Sequence, residues 1–228
     1  MKLKFLVLLM ALLIANPGFA ADANLSSDKA KISYTIGMQV GSQLASGVKQ
    51  DGLDVDIAAL LLAIEDMLND KPPRLSEAEI TTAMNLFREQ QMKKQSQLAE
   101  ENKAKGEAFL AANTSNPGVK VLPSGVQYKV IKSGSGKSPT ESNSVVAHYR
   151  GTLVDGTEFD SSIRRGQPAT FPVTGVILGW QEILQKMKVG DKWEVYIPSE
   201  LAYGARGQGP TIGPNSALIF EIELLEIK

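Results

Sequence analysis

His148-Tyr149-Arg150-Gly151-Thr152-Leu153-Val154-Asp155-Gly156-Thr157-Glu158-Phe159-Asp160-Ser161-Ser162 is the stretch from which the rest of the chain can be placed. Its first residues complete an apolar run, Val145–Leu153. That run belongs to a series separated by turn formers: Val126–Ile131, Val145–Leu153, Ala169–Val173, Lys192–Ile197 and Ala217–Ile227. Short apolar runs punctuated in this way read as strands of a mostly antiparallel sheet. A single helical segment, about Gly179 to Met187, sits between the third and fourth runs and is ended by Lys188-Val189-Gly190-Asp191. The C-terminal half is therefore expected to be α+β, an antiparallel sheet wrapped on one short helix.

Upstream the composition changes. Residues 113–228 hold 14 of the 20 glycines and eight of the 11 prolines. The segment Asn113-Thr114-Ser115-Asn116-Pro117-Gly118 is made of turn formers and marks the seam. Before it the chain reads as helical. Asp28 falls in the first turn of a segment with Ile32, Ile36, Val40, Leu44 and Val48 at intervals of four. Asp56 is placed to cap a second helix bearing Ile57, Leu60, Leu61, Ile64 and Leu68. After Pro72-Pro73, Ser76 and Glu79 have the spacing of a capping box. That box opens a stretch reaching about Ala112, which at ~1.5 Å per residue spans roughly 55 Å. From Gln90 to Lys105 this helix is nearly all polar, the pattern of a spacer that crosses solvent rather than packing in a core.

At the other end, Lys2 and Lys4 precede an apolar run from Phe5 to Ala15, then Pro17-Gly18 and the small residues Ala20-Ala21. This is the pattern of an export signal. The run is shorter than the ~20 residues a membrane span requires. The expected organisation is 1–20 signal peptide, 21–112 helical module with its long linker helix, and 113–228 sheet domain. Removing Lys2 and Lys4 leaves 22 basic against 25 acidic side chains.

Composition removes much chemistry. With no cysteine there are no disulfides, thiol nucleophiles or zinc ribbons. One histidine, His148, makes a multi-histidine metal site impossible. In the apolar run Val145-Val146-Ala147-His148-Tyr149 it reads as a structural side chain, and no Gly-x-Ser-x-Gly elbow exists to pair with it. The near-neutral balance argues against nucleic acid as a partner. Gly134-Ser135-Gly136-Lys137-Ser138 ends like a phosphate-binding loop, but position 131 is Ile131 where the motif needs glycine, so it reads as a loop between strands. No metal and no cofactor are expected.

The helical module is small enough to need help. A unit of about 60 residues is marginal alone, and association of copies is the usual remedy. Gly37 and Gly41, four apart, let helices approach closely, and Met38, Met67, Met84 and Met92 are adaptable contact residues. A homodimer held by residues 27–90 is expected.

The opening stretch resembles the signature of FKBP-type peptidyl-prolyl isomerases. So do Val176-Ile177-Leu178-Gly179-Trp180, Pro198-Ser199-Glu200-Leu201-Ala202-Tyr203-Gly204 and Leu218-Ile219-Phe220-Glu221-Ile222-Glu223-Leu224, four blocks in order over 118–228. Signal, three helices and this domain together resemble the macrophage infectivity potentiator class of Gram-negative bacteria. The resemblance implies an FKBP-like fold. It also implies an apolar pocket floored by Trp180 and walled by Tyr149, Phe159, Phe171, Val176, Ile177 and Phe220, with Asp160 and Tyr203 as polar groups at the rim. On residue type alone the aromatics are ordinary core, and Asp160 is a turn former. Three departures concern the rim: the short segment from Phe171 to Val176, the Arg206–Pro214 loop with Gln208 in it, and Ala169 where many members carry phenylalanine.

What the resemblance implies for function is acceleration of X–Pro bond rotation in exported or surface proteins, with Asp160 and Tyr203 as catalytic groups. Partners would be proline-containing unfolded or extended polypeptides and macrocyclic inhibitors of the rapamycin type. The place of action would be the periplasm or the outer-membrane surface of a Gram-negative bacterium. The alternative is a dimeric chaperone or adhesin that uses the same pocket without turnover.

Overall fold

The computed structural model describes residues 24–50 and 52–228. The expected signal over 1–20 lies outside them. The chain divides into two compact units, one ending at Pro72 and one running Pro73–Lys228.

The first unit carries α1 (Asp28–Gln50) and α2 (Ile57–Leu68). Asp56 caps α2, its Oδ1 accepting from the Ala59 N–H at 3.0 Å, which satisfies one of the donors that a helix start leaves open. The apolar stripe read from the sequence lies on the outside of α1. Ile32 is 61% exposed, Ile36 56% and Val40 57%.

The second unit opens with α3 (Glu77–Asn113), a helix of 37 residues. Both halves of the capping box are formed: Ser76 Oγ accepts from the Glu79 N–H at 3.3 Å, and Glu79 Oε2 accepts from the Ser76 N–H at 2.8 Å. The strands are β1 (Val119–Val121), β2 (Gln127–Lys132), β3 (Ser144–Leu153), β4 (Glu158–Ser161), β5 (Ala169–Pro172), β6 (Lys192–Ile197) and β7 (Leu218–Ile227). They form one seven-stranded sheet in the order β1-β2-β6-β7-β3-β4, with β5 also paired to β3. Every pairing is antiparallel. The short helix α4 (Leu178–Leu184) packs on the sheet through Trp180, Ile183 and Leu184.

Period-two alternation selects the inner face. In β3 Val145, Ala147 and Tyr149 are buried, and in β7 so are Leu218, Phe220, Ile222 and Leu224. Registers place Tyr149 opposite Ile222 and Gly151 opposite Phe220. Val195 of β6 lies on the other side of Phe220. Tyr196 breaks the alternation in β6, being buried next to Val195 and Ile197. The cause is α3, whose Phe109 ring lies 5.9 Å from the Tyr196 ring.

Beyond the polar stretch from Gln90 to Lys105, the end of α3 is thus anchored on the sheet. Asn113 Nδ2 donates to Gln127 Oε1 at 2.9 Å, and Gln127 Nε2 donates to the Leu110 carbonyl at 2.9 Å. Both amide side chains are buried, and they satisfy each other, as buried polar groups must. Polar residues here make a helix–sheet junction.

Candidate active site

A cavity of about 670 Å³ opens at one side of the sheet between α4, β3, β4, β7 and the segment 203–212. Trp180 forms the centre of its aromatic wall. The rings of Tyr149, Phe171 and Phe220 stand 5.5, 5.7 and 5.2 Å from it, each close to edge-on. Phe159 continues the set against Phe220, again edge-on at 5.6 Å. Edge-to-face contacts of this kind hold rings rigidly while leaving an apolar surface between them. Val176 and Ile177 enter from the turn before α4.

Every residue assigned to the pocket from sequence is in its wall: Tyr149, Phe159, Phe171, Val176, Ile177, Trp180 and Phe220, with Asp160 and Tyr203. The strand pattern brings them together. Phe171 comes from β5, which pairs with β3. Phe159 and Asp160 come from β4, and the Gly151–Asp160 pairing sets them beside β3. Ala169 packs partly buried against the core and does not line the cavity. His148 lies outside the cavity wall, its Nδ1 within 3.1 Å of Ser162 Oγ.

The polar rim is a network the sequence did not disclose. The Tyr149 hydroxyl donates to Asp160 Oδ2, and Arg165 donates through Nη1 to Asp160 Oδ1. Arg165 Nη2 donates to the Tyr149 hydroxyl at 2.7 Å, and the Ser161 N–H donates to Asp160 Oδ1 at 2.8 Å. Arg165 also lies over the Tyr149 ring, 5.5 Å from its centroid. Burial alone would push the Asp160 carboxyl up. The hydrogen bonds from Tyr149 and Arg165, with the Arg165 charge, outweigh it and hold the carboxyl below its ordinary range. Tyr203 is pushed up by burial and by the Asp160 charge, and Tyr149 by burial and by the bond it donates to Asp160. The rim therefore presents one fixed carboxylate and two protonated phenols.

Arg165 is a rim residue that the sequence reading did not name, and the Arg206–Pro214 loop, read only as part of the rim, supplies a wall of Gln208, Gly209, Pro210, Thr211 and Ile212. The tandem Arg164-Arg165 follows the opening stretch after Ile163, but its position does not say which arginine meets Asp160: Arg164 pairs with Glu158 at 3.2 Å and Arg165 with Asp160. Among the described residues no group of His, Asp and Glu is arranged to hold a metal ion. The arrangement offers an apolar grip, hydroxyl donors and a fixed negative charge, with no nucleophile beside a base.

Residues 135–225 match the FKBP-type peptidyl-prolyl cis-trans isomerase family, and residues 29–130 match the domain amino terminal to FKBP-type peptidyl-prolyl isomerase. The chain is 44% identical over 234 residues to "Outer membrane protein MIP" of Legionella longbeachae, covering 100% of this chain and 99% of that protein. It is 40% identical to "Peptidyl-prolyl cis-trans isomerase Mip" of Coxiella burnetii, over 96% of this chain and 95% of the relative. Among solved structures, the crystal structure of FkpA from Escherichia coli aligns with a TM-score of 0.66 at 37% identity, covering 89% of this chain and 98% of that one.

Proposed function

The chain belongs to the FKBP-type peptidyl-prolyl cis-trans isomerases, and from that premise we propose how its residues perform the reaction, how copies assemble and where they act. The barrier to be lowered is that of amide resonance, ~18–20 kcal/mol. Rotation breaks conjugation, so the twisted state has a less polarised carbonyl and prefers a less aqueous surrounding. The proline ring enters the box of Phe159, Phe171, Trp180 and Phe220, with Tyr149, Val176 and Ile177 closing its sides. The Tyr203 hydroxyl and the Ile177 N–H anchor substrate carbonyls flanking the twisted bond. Asp160, kept ionised by Arg165 and Tyr149, acts electrostatically on the rotating carbonyl. No step needs a covalent intermediate, and each tenfold in rate is worth ~1.4 kcal/mol.

The observation that carries this reading is the pairing of an aromatic cavity with a fixed carboxylate at its mouth. It is tested with a refolding protein whose slow phase is proline isomerisation. Full-length chain should accelerate that phase. An Asp160→Ala/Tyr203→Ala double variant that keeps its fold and its full rate overturns the residue roles.

The functional division we propose is dimerisation in residues 27–90 and isomerisation in residues 113–228. The apolar stripe of Ile32, Ile36 and Val40, more than half exposed in a single chain, supports a homodimer, because burying each such side chain stabilises by ~1.5–3 kcal/mol. We place the enzyme in the periplasm or at the outer-membrane surface, acting on proline-containing unfolded polypeptides and binding rapamycin-type macrocycles. Among the described residues no helix is long and apolar enough to cross a membrane.

A further inference from the structure

The last turns of α3 touch the chain that forms one wall of the cavity. Partly or fully buried positions recur along the helix at Ala99, Asn102, Gly106, Phe109, Leu110 and Asn113. Their spacing of three and four puts them on one face. Asn102 Nδ2 on that face donates to the Pro214 carbonyl at 2.9 Å. Asn215 Nδ2 returns a longer bond of 3.4 Å to the Ala99 carbonyl.

The approach is close at Gly106 and Gly213. A Cβ at Gly213 would sit 2.8 Å from Asn102 Nδ2 and 3.5 Å from Leu98 Cδ2. A Cβ at Gly106 would sit 3.0 Å from that of Ala217. The tight approach is at Gly106, which faces Ala217, while Gly213 faces the ends of the Asn102 and Leu98 side chains.

The chain held in this way leads directly into the cavity. Gln208 and Ile212 exchange backbone hydrogen bonds of 2.8 and 3.2 Å, closing a short hairpin whose residues 208–212 line the cavity. Its base is Gly213-Pro214-Asn215, the segment bonded to α3. The Asn215 N–H also donates to the Gly204 carbonyl at 2.9 Å, so the same anchor reaches the residue next to Tyr203. The 207–216 loop is rich in glycine and proline, and its other fixed points are Ile212, buried in the core, and the Ser216 hydroxyl, which donates to the Gly213 carbonyl at 2.9 Å.

We infer that residues 98–113 of α3 are a positioning element of the isomerase site, with Asn102 its main contact, fixing the 208–212 wall and the Tyr203 segment against the aromatic box. This rests on the proposed pocket and extends it. The linker helix forms part of the support of that pocket, so the functional isomerase unit begins near Leu98, ahead of the seam at Asn113. Loss of the contact leaves the box of Trp180, Phe159, Phe171 and Phe220 intact and loosens the wall that closes over bound proline.

The test uses the full chain and its Asn102→Ala and Gly106→Val variants, with Gln97→Ala on the exposed side of α3 as control. A proline-containing tetrapeptide is assayed with KM and kcat resolved. In Asn102→Ala, KM should rise about 3-fold to 10-fold, the scale of one net hydrogen bond. The turnover number should stay within about twofold of its starting value. Gly106→Val, which forces the helix away from Ala217, should raise KM in the same direction. Amide exchange at Ile212 and Asn215 should quicken in both variants, while Val195 and Ile222 in the sheet keep their protection. Unchanged KM and unchanged exchange at Ile212 and Asn215 in both variants overturn the inference. So does a fall in kcat and in global protection with KM constant, which marks a merely structural contact. A starting chain that fails to accelerate isomerisation sinks the isomerase reading itself, whereas an active chain indifferent to both variants sinks only this inference.

Discussion

The two compact units dispose of their apolar side chains in opposite ways. In the sheet domain Val145, Ile183, Leu184, Val195 and Ile222 are fully buried within one chain. On α1 and α2 the large apolar residues Ile32, Ile36, Val40, Ile57 and Leu61 are each more than half exposed. One unit completes its core alone and keeps an apolar concavity open, lined by aromatics and edged by Asp160. The other presents apolar stripes along its helices. An apolar pocket with placed polar groups is suited to a small, shaped ligand. An apolar stripe along a helix is suited to another helix. On the proposed reading the same kind of side chain therefore serves binding in one region and assembly in the other.

If the regions are independent in this sense, damage to one leaves the other working. The largest effect is expected from Trp180→Ala. Trp180 is 4% exposed and touches three other rings, and removing such a side chain costs ~3–5 kcal/mol. Thermal unfolding of the sheet domain should move down steeply and isomerisation should be lost, while sedimentation equilibrium still gives the dimer mass. Loss of the dimer in this variant breaks the comparison.

The converse comes next in size. Ile36→Glu keeps helix propensity on α1 but puts a charge into the stripe, once in each copy. Dimer dissociation should become easier by about 100-fold or more, since each buried isoleucine is worth ~1.5–3 kcal/mol. Tetrapeptide turnover per chain should stay within about twofold, because the cavity is complete within one chain. With an unfolded substrate the monomeric variant should be less efficient, because a long chain gains avidity from two linked pockets. Equal efficiency on both substrates would leave the dimer without a role in catalysis.

How much of this was legible in the sequence follows the same division. Elements with a local signature were readable: the Asp56 cap, the Ser76–Glu79 box, the helix running to about residue 112, and the strands at Val145–Leu153 and Ala217–Ile227. β1 and β4 were not read, since Val119–Val121 and Glu158–Ser161 are too short to alternate and exist because β2 and β3 pair with them. The docking face of α3 was invisible for another reason. Ala99, Asn102, Gly106 and Asn113 carry almost no apolar signal, so a face that packs by closeness and amide bonds looks like a solvated one. The rings of Tyr149, Phe159, Trp180, Tyr203 and Phe220 were readable through the four family blocks, and Phe171 through the resemblance as a whole. Arg165 was not, because its contacts with Asp160 and Tyr149 are made only by the fold.

Within the pocket the expected effects are smaller. Tyr203→Phe removes one hydroxyl and keeps the ring, and Asp160→Leu removes the carboxylate at similar size. Each should lower kcat/KM for a tetrapeptide by about tenfold, or ~1.4 kcal/mol, with circular dichroism unchanged. A rapamycin-type macrocycle should compete with the peptide in the starting chain and bind less well to both variants. An undiminished rate in both variants would leave the aromatic box as the whole of the catalyst and the polar rim as decoration.

The smallest effect is on the pH profile, and it separates the rim network from its surroundings. Asp160 titrates below the ordinary aspartate value in the folded chain. The stability it contributes is therefore present above the unfolded value of ~3.9 and is lost as pH falls through the lower folded value. Tyr149 and Tyr203 are both pushed up from their ordinary range, so neither phenol ionises until the solution is strongly alkaline. The one histidine, His148, is not in the cavity wall. Tetrapeptide kcat/KM should accordingly be level from about pH 5 to pH 9, with an acid limb beginning below the ordinary aspartate range. Arg165→Leu removes a donor and the positive charge that hold Asp160 down, while the burial that pushes it up persists. Its acid limb should then move to higher pH, with the plateau between pH 5 and 9 lowered only modestly. A limb that stays where it was after Arg165 is gone would mean that the carboxylate at the mouth of the pocket does not act on the rotating bond.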